Sequence, residues 1–143
     1  MIVYFDTSAI LPVVIEEPSS ENATRLWDEA ERAVSSRLVY AEARAALAMA
    51  HRMERVDQHG LRSAVEEFEA LYDQLDLIEV TGGLVRNAGD FAEQFGLRGY
   101  DAVHLASAHA IADAELVLAA GDQILLDAAR TLDISTADLT TEA

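Results

Sequence analysis

The chain of 143 residues is 51% hydrophobic, which is long and apolar enough for one domain, residues 1–143, with a sizeable core. It has no cysteine, which excludes disulfide bonds and thiolate metal sites. Its 26 acidic and 10 basic residues give a formal net charge of −16, and the resulting electrostatic field repels nucleic acid at long range. The basic residues are all arginine, which excludes chemistry that needs a lysine ammonium.

The first predicted element is a buried β-strand over residues 2–5. Its sequence, Ile-Val-Tyr-Phe, is β-branched and aromatic without alternation, which is typical of a parallel strand covered on both faces. Asp6 would stand at the carboxyl end of this strand, where open α/β sheets bind their ligands. Taken alone, Asp6 is better explained as the N-cap of the helix that follows.

Helices and short apolar strands then alternate along the chain. We predict helices over residues 7–15, 21–32, 37–55, 61–75, 84–95, 100–114 and 123–132, with Ser19 or Ser20 capping the second. Strands are predicted over residues 33–36, 77–80 and 116–120, with a short edge strand over 133–136, and the tail from residue 137 is expected to be poorly ordered. This alternation implies a mostly parallel sheet of four or five strands.

The third helix carries an acid within an apolar pattern. Leu38, Glu42, Ala45 and Met49 follow helical spacing, which predicts that Glu42 lies on the apolar stripe. A buried, unpaired carboxylate costs on the order of several kcal/mol, so Glu42 needs a cation or a proton. A salt bridge to an arginine is the simpler alternative.

Two more acids stand at the starts of later helices. Asp101 falls in the first turn of the helix over residues 100–114, where the helix dipole alone would stabilise an acid. Asp122 follows the strand over residues 116–120 as Asp6 follows the first strand, and an N-cap role would account for it as well. Each simple explanation is adequate alone, but four acids at such positions in one sheet-and-helix fold indicate a shared site.

Converging carboxylates repel one another, and a hard divalent cation relieves that repulsion. Carboxylate oxygens suit Mg²⁺ or Mn²⁺. The histidines are weaker candidates for ligands. His51 and His59 are expected near exposed positions, whereas core or supporting roles suit His104 and His109 better than direct ligation.

At these residues the sequence resembles the PIN-domain ribonucleases, specifically the VapC-type toxins of bacterial toxin–antitoxin modules. Four segments carry the resemblance in order along essentially the whole chain: IVYFDTSAI, RLVYAEARAAL, LRGYDAVHLASA and LVLAAGDQILLDAA. The resemblance implies a PIN-like three-layer α/β/α sandwich with the acidic pocket at the switch point of the sheet.

The resemblance also assigns residues. It places the catalytic and metal-binding acids at Asp6, Glu42, Asp101 and Asp122, and a supporting hydroxyl group at Ser8. Two residues before the last acid, family members often have threonine or serine, whereas this chain has Ala120. That difference removes a supporting hydroxyl group near Asp122.

The implied activity is that of a Mg²⁺- or Mn²⁺-dependent endoribonuclease that leaves 5′-phosphate and 3′-hydroxyl ends and inhibits translation until a VapB-type antitoxin blocks it. The resemblance further implies a homodimer and a hetero-oligomer with the antitoxin. Arg37, Arg44 and Arg98 could bind flanking phosphates or pair with surface acids. A phosphotransferase or receiver domain is disfavoured because the chain has no lysine, but a non-catalytic PIN-like binding module with a degenerate site stays open as the alternative.

Targeting signals are not evident. The N-terminus lacks a basic region, and Asp6 interrupts its apolar stretch, which argues against a signal peptide. No apolar run approaches the ~20 residues that span a membrane. We therefore expect a cytoplasmic protein with no membrane partner.

Overall fold

The structure is a computed structural model that describes residues 1–141. Within that range an all-parallel sheet of five strands lies between two layers of helices, in the strand order β3-β2-β1-β4-β5. The strands are β1 (Ile2–Phe5), β2 (Arg32–Ser36), β3 (Asp76–Ile78), β4 (Leu116–Ala120) and β5 (Ser135–Asp138). The helices are α1 (Thr7–Val14), α2 (Ser20–Glu29), α3 (Val39–Arg52), α4 (Gln58–Gln74), α5 (Gly82–Phe95), α6 (Gly99–Ala110) and α7 (Gln123–Thr131).

The two faces of the sheet support two separate cores, which is why β1 and β4 are apolar at almost every position. Val3 and Phe5 pack with α1 to α4 on one face, whereas Tyr4 packs with α5, α6 and α7 on the other. Val3 and Tyr4 are fully buried in these opposite cores. The predicted three-layer α/β/α sandwich is confirmed, and the sheet is wholly rather than mostly parallel.

The order of the strands places a crevice beside β1. The chain leaves β1 and returns first to β2 on one side, and it later crosses to β4 on the other side. The connections therefore diverge between β1 and β4, and a ligand crevice forms at the carboxyl ends of strands at such a switch point. Asp6 and Asp122 follow these two strands directly.

The caps of the helices differ in one place from the prediction. The Asp6 side chain accepts a hydrogen bond from the Ser8 amide and caps α1, and Asp122 caps α7 by accepting from the amides of Ile124 and Leu125. Ser19 precedes α2 without making a capping hydrogen bond. The hydroxyl of Ser20 instead donates to the carbonyl of Ile15 and closes the preceding turn.

Several predicted boundaries are wrong by a few residues. The helix predicted over residues 37–55 is shorter, Val39–Arg52, and α6 ends at Ala110 rather than at residue 114 because a turn begins there. The edge strand lies two residues later than predicted, at Ser135–Asp138. Leu139, in the segment expected to be poorly ordered, is 2% exposed, and its amide donates to the Ala120 carbonyl. Residues 142 and 143, the end of that tail, lie outside the described residues.

The apolar stripe of α3 is not the one predicted. Its buried residues are Val39, Ala43, Leu47 and Ala50, whereas Met49 is 49% exposed. Glu42 therefore lies beside the buried stripe rather than on it, at the edge that faces the crevice. In residues 1–141 no helix is long and apolar enough to cross a membrane.

Candidate active site

A cavity of about 670 Å³ opens at the carboxyl edge of the sheet, where β1 and β4 end. The acids that line it come from five different places in the chain: Asp6, Glu17, Glu42, Asp101 and Asp122. Four of them are the acids singled out in the sequence, so the fold brings residues up to 116 positions apart to one cavity. Their catalytic and metal-binding roles stay predictions.

Ser8 connects the ends of the two central strands. Its hydroxyl donates to Asp6 Oδ2 over 2.6 Å and accepts from the amide of Gly121 over 2.9 Å. Because Gly121 directly precedes Asp122, this chain of hydrogen bonds links the two strand-end acids through one hydroxyl group. The supporting role of Ser8 in the site stays a prediction.

The carboxylate of Glu42 contacts a buried histidine, His104. Its Oε1 lies 2.6 Å from His104 Nε2 and accepts from the Thr7 hydroxyl over 3.0 Å. His104 is fully buried, and its other ring nitrogen, Nδ1, lies 2.8 Å from the Tyr4 hydroxyl. The histidine thus joins the cavity to the core, and it takes the place of the arginine that a simple salt bridge to Glu42 would have required.

The surroundings of His104 act on its pKa in opposite directions. Burial lowers that pKa, but the hydrogen bond to Glu42 and the charges of Asp6, Glu42 and Asp101 together raise it above its usual value. His104 Nε2 lies 3.7 Å from Asp6 Oδ1. The ring therefore contacts Glu42 and lies close to Asp6, two of the acids that line the cavity.

Asp101 begins the other side of the cavity, in the first turn of α6. Its Oδ2 accepts from Arg98 Nε over 3.0 Å, and the guanidinium also lies 5.2 Å from the centroid of the Tyr100 ring. Burial raises the pKa of the Asp101 carboxyl, and the charges of Asp6 and Asp122 raise it further, against the lowering effect of Arg98. The charges of the two strand-end acids, Asp6 and Asp122, therefore act on the Asp101 carboxyl.

The donor set fits a hard divalent cation in its chemistry, since it consists of carboxylate oxygens that face one another across a cavity. As the side chains stand, no three acidic or histidine residues within positions 1–141 are grouped closely enough to hold a metal ion. Glu42 is engaged by His104 and Asp101 by Arg98.

Sequence reasoning missed two residues that line the cavity, whereas it predicted a core or supporting role for His104. Glu17, which also contacts Arg55 over 3.6 Å, lies in the turn after α1, and Thr140 belongs to the segment expected to be poorly ordered. Neither interrupts an apolar pattern, so neither carries a signal in the sequence. His104 does carry one, because it is a polar residue in the apolar run of a helix, although its partner Glu42 is 62 positions away.

The remaining candidates lie elsewhere. Ala120 is fully buried in the core beneath α6 and α7 and does not line the cavity. Arg37 pairs with Glu79 over 2.6 Å, and Arg44 donates to the Tyr40 hydroxyl. Of the described residues, Arg98 is the only basic one that lines the cavity.

The sequence of the chain matches a known protein family. The family model of the PIN domain matches residues 3–131, which is most of the chain. The chain belongs to the PIN-domain family. The acidic cavity at the switch point is therefore the corresponding region of a PIN domain, and the resemblance read from the four sequence segments is confirmed.

Within the PIN-domain family, the chain is similar to named ribonucleases. It is 42% identical over 124 residues to Ribonuclease VapC45 and to Ribonuclease VapC49 of Mycobacterium tuberculosis, an alignment that covers 87% of this chain and 86% of each relative. The chain is thus a VapC-type PIN protein.

Solved structures share the PIN fold at lower identity. Mycobacterium tuberculosis VapC20, described as a sarcin–ricin loop cleaving toxin, superposes with a TM-score of 0.68 at 19% identity, covering 88% of this chain and 94% of that chain. VapBC-1 from nontypeable Haemophilus influenzae superposes with a TM-score of 0.63 at 18% identity, covering 99% and 100% of the two chains. At these identities the likeness establishes the fold.

Proposed function

We propose that this protein is a divalent-cation-dependent endoribonuclease and the toxin of a toxin–antitoxin module, which inhibits translation by hydrolysing RNA. The observation that carries the proposal is the convergence of four carboxylates on one cavity at the switch point of a PIN fold. The 42% identity to proteins named as ribonucleases supports the same reaction class. The carboxylates of the site repel the phosphate of an RNA substrate, and a bound cation would offset that repulsion.

The residues that would hold Mg²⁺ or Mn²⁺ are the four carboxylates Asp6, Glu42, Asp101 and Asp122. Once bound, such a cation polarises a phosphoryl oxygen and offsets the negative charge that develops on the phosphate. The chain itself supplies orientation. Ser8 fixes the Asp6 carboxylate, while Thr7 and His104 fix that of Glu42.

The partner proposed for this toxin is a VapB-type antitoxin, with which it would form a hetero-oligomer, alongside a homodimer of its own. Solved neighbours such as Haemophilus influenzae VapBC-1 are similar to this chain over their full length. An acidic cavity is suited to a partner that carries an arginine, because a guanidinium binds a carboxylate bidentately. Arg98 already pairs with Asp101 within the chain, through a single contact from its Nε.

The proposal is tested by incubating the purified protein with cellular RNA in Mg²⁺, in Mn²⁺ and in excess chelator. We expect cleavage that requires the cation and leaves 5′-phosphate ends, which ligation-based sequencing detects. Asp6→Asn should abolish it. Asp127→Asn is the matched control, since Asp127 is an exposed acid on α7 that pairs with Arg130 and does not line the cavity.

Cleavage that persists in chelator would overturn the dependence on a cation. If the wild-type protein binds RNA but cleaves none in either metal, the alternative of a non-catalytic PIN-like binding module is correct. The present pairing of Glu42 and Asp101 with His104 and Arg98 is the observation that favours this alternative.

A further inference from the structure

The rim of the cavity presents one cation beside one exposed aromatic ring. We propose that Arg98 and Tyr100 form a binding site for one nucleotide of a single-stranded RNA, with Tyr100 stacking on the base and Arg98 binding an adjoining phosphate. This inference rests on the proposed function and names how its substrate is held. Both side chains line the cavity that the carboxylates share, so a nucleotide bound there lies next to them.

The geometry leaves both groups available to a ligand. Arg98 Nε donates to Asp101 over 3.0 Å, and the guanidinium carbon lies 5.2 Å from the centroid of the Tyr100 ring. A guanidinium has five N–H donors, and the contact with Asp101 uses Nε–H. Since 68% of the Arg98 side chain is exposed, its outer fork can reach a phosphate while Asp101 and Tyr100 fix its orientation.

Neither side chain is part of the apolar core. Tyr100 is 46% exposed, whereas Tyr4 is fully buried and Tyr40 and Tyr72 pack against each other and against Phe68. Arg98 is 68% exposed and lies at the rim, although the acid that it pairs with, Asp101, is buried. The Tyr100 ring can therefore contact a ligand at the mouth of the cavity without any loss of core packing.

The charge of the molecule favours a stacked single strand as the occupant. With a net charge of −16 and five acids around the cavity, phosphate contacts alone bind RNA weakly. Stacking of a base on an aromatic ring does not depend on the phosphate charge, and it requires a base that is free of its duplex partner. A volume of about 670 Å³ is sufficient for a nucleotide-sized ligand.

The test measures binding apart from cleavage, by fluorescence anisotropy of a labelled 12-nucleotide single-stranded RNA in Mg²⁺, with Asp6→Asn as the common background. We expect Tyr100→Ala to weaken binding about tenfold, the loss typical of one base stack. Tyr100→Phe, which keeps the ring, should stay within about twofold of the background. Arg98→Gln should weaken binding by a similar factor to Tyr100→Ala, since it removes both the phosphate contact and the support for the ring.

The matched control for Arg98→Gln is Arg130→Gln, because Arg130 also pairs with an aspartate three positions away at 3.0 Å, outside the cavity. It should leave RNA binding unchanged. A duplex of the same sequence is the second control, and its weaker binding should be insensitive to Tyr100→Ala. Circular dichroism melts of the Tyr100 and Arg130 variants should coincide with that of the background, because both of these side chains are exposed.

The site is overturned if Tyr100→Ala binds the single strand as the background does, if Arg130→Gln loses as much as Arg98→Gln, or if the duplex responds equally. It is also overturned if Tyr100→Ala affects only the binding of an arginine-bearing peptide, which would make the rim a protein-docking site. The proposed function is judged separately, by cleavage with the wild-type protein. If the wild-type protein cleaves RNA and the Tyr100→Ala variant does so with the same KM, the proposed function holds and the nucleotide site at Arg98 and Tyr100 is wrong.

Discussion

At the scale of single residues, His104 connects the carboxylates to the core. Its two ring nitrogens contact Glu42 at the cavity and the buried hydroxyl of Tyr4 beneath it. Among the described residues, no buried side-chain nitrogen or oxygen lacks a hydrogen-bond partner. Removing the His104 ring would take a hydrogen-bond partner from both the Tyr4 hydroxyl and the Glu42 carboxylate.

We expect His104→Leu to lower the free energy of unfolding by about 1–3 kcal/mol, the cost of one unsatisfied buried polar group. Urea denaturation followed by circular dichroism measures the loss. His59→Leu is the matched control, because His59 is exposed at the start of α4, and it should change stability little. Equal midpoints for the two variants would show that the contacts of His104 do not stabilise the fold.

Asp101 is the second residue on which a prediction rests. Its folded-state pKa is raised by burial first and by Asp6 and Asp122 after that. When folding raises the pKa of a carboxyl group, the folded protein loses stability as the pH rises through that pKa. At neutral pH the charged Asp101 therefore destabilises the fold. A bound cation would remove this repulsion.

Mg²⁺ or Mn²⁺ should therefore raise the Tm of the wild-type protein, because a ligand of the folded state stabilises it. Asp101→Asn should raise the Tm in chelator and reduce the response to metal. Asp127→Asn, which also removes the partner of an arginine three positions away, should do neither. Differential scanning calorimetry with and without millimolar metal checks this, and identical wild-type melts in both conditions would contradict a metal site.

At the scale of elements, the segment after β5 completes the edge of the cavity. The side-chain amide of Asn22 on α2 donates to the carbonyls of Leu139 and Thr141 over 2.9 and 2.8 Å. Thr140, between them, lines the cavity. A side chain near the start of the chain thus holds the residues that follow the last strand.

We expect Asn22→Ala to lower the local stability of residues 139–141 by about 1–2 kcal/mol, since each of the two hydrogen bonds contributes about 0.5–1.5 kcal/mol. Amide hydrogen exchange should show faster exchange at Leu139, while β1 and β4 keep their protection. Asn87→Ala, at an exposed position of α5, provides the comparison. Unchanged exchange at Leu139 would mean that β5 and its pairing with β4 hold the segment without Asn22.

At the scale of the whole molecule, the net charge of −16 governs the approach of a polyanion. Most RNA-binding proteins are basic and lose affinity as salt increases. This protein is acidic on balance, so dissolved ions screen repulsion rather than attraction between it and RNA. The screening length falls from about 30 Å at 0.01 M to about 10 Å at 0.1 M salt.

The association rate constant for single-stranded RNA should therefore rise when salt is increased from about 0.01 to 0.1 M, the range over which long-range repulsion is screened. Stopped-flow fluorescence with the Asp6→Asn protein at constant Mg²⁺ measures it. A basic partner such as an arginine-bearing peptide should show the opposite trend. A rate for RNA that falls with salt would show that local arginines, and not the net charge, control the encounter.

The sequence was sufficient to predict the parallel α/β sandwich and the approximate location of the site. Ile2-Val3-Tyr4-Phe5 specifies a strand buried on both faces, and Asp6 and Asp122 are fixed at strand ends by the elements they follow. Even so, neither Ser19 nor Ser20 caps α2 with its side chain as predicted, because the Ser20 hydroxyl bonds to the preceding turn instead. Local patterns thus give the elements more reliably than their ends.

The tertiary structure alone decided which side chains meet. The spacing of α3 suggested that Glu42 is buried among apolar residues, but the buried stripe is the one through Ala43, and Glu42 turns to His104 across the cavity. That contact joins positions 62 apart in the chain, as the one between Asn22 and Leu139 joins positions 117 apart. Periodicity reports only which face of an element is apolar, whereas partners across a cavity depend on how separate elements pack, and no local pattern encodes that.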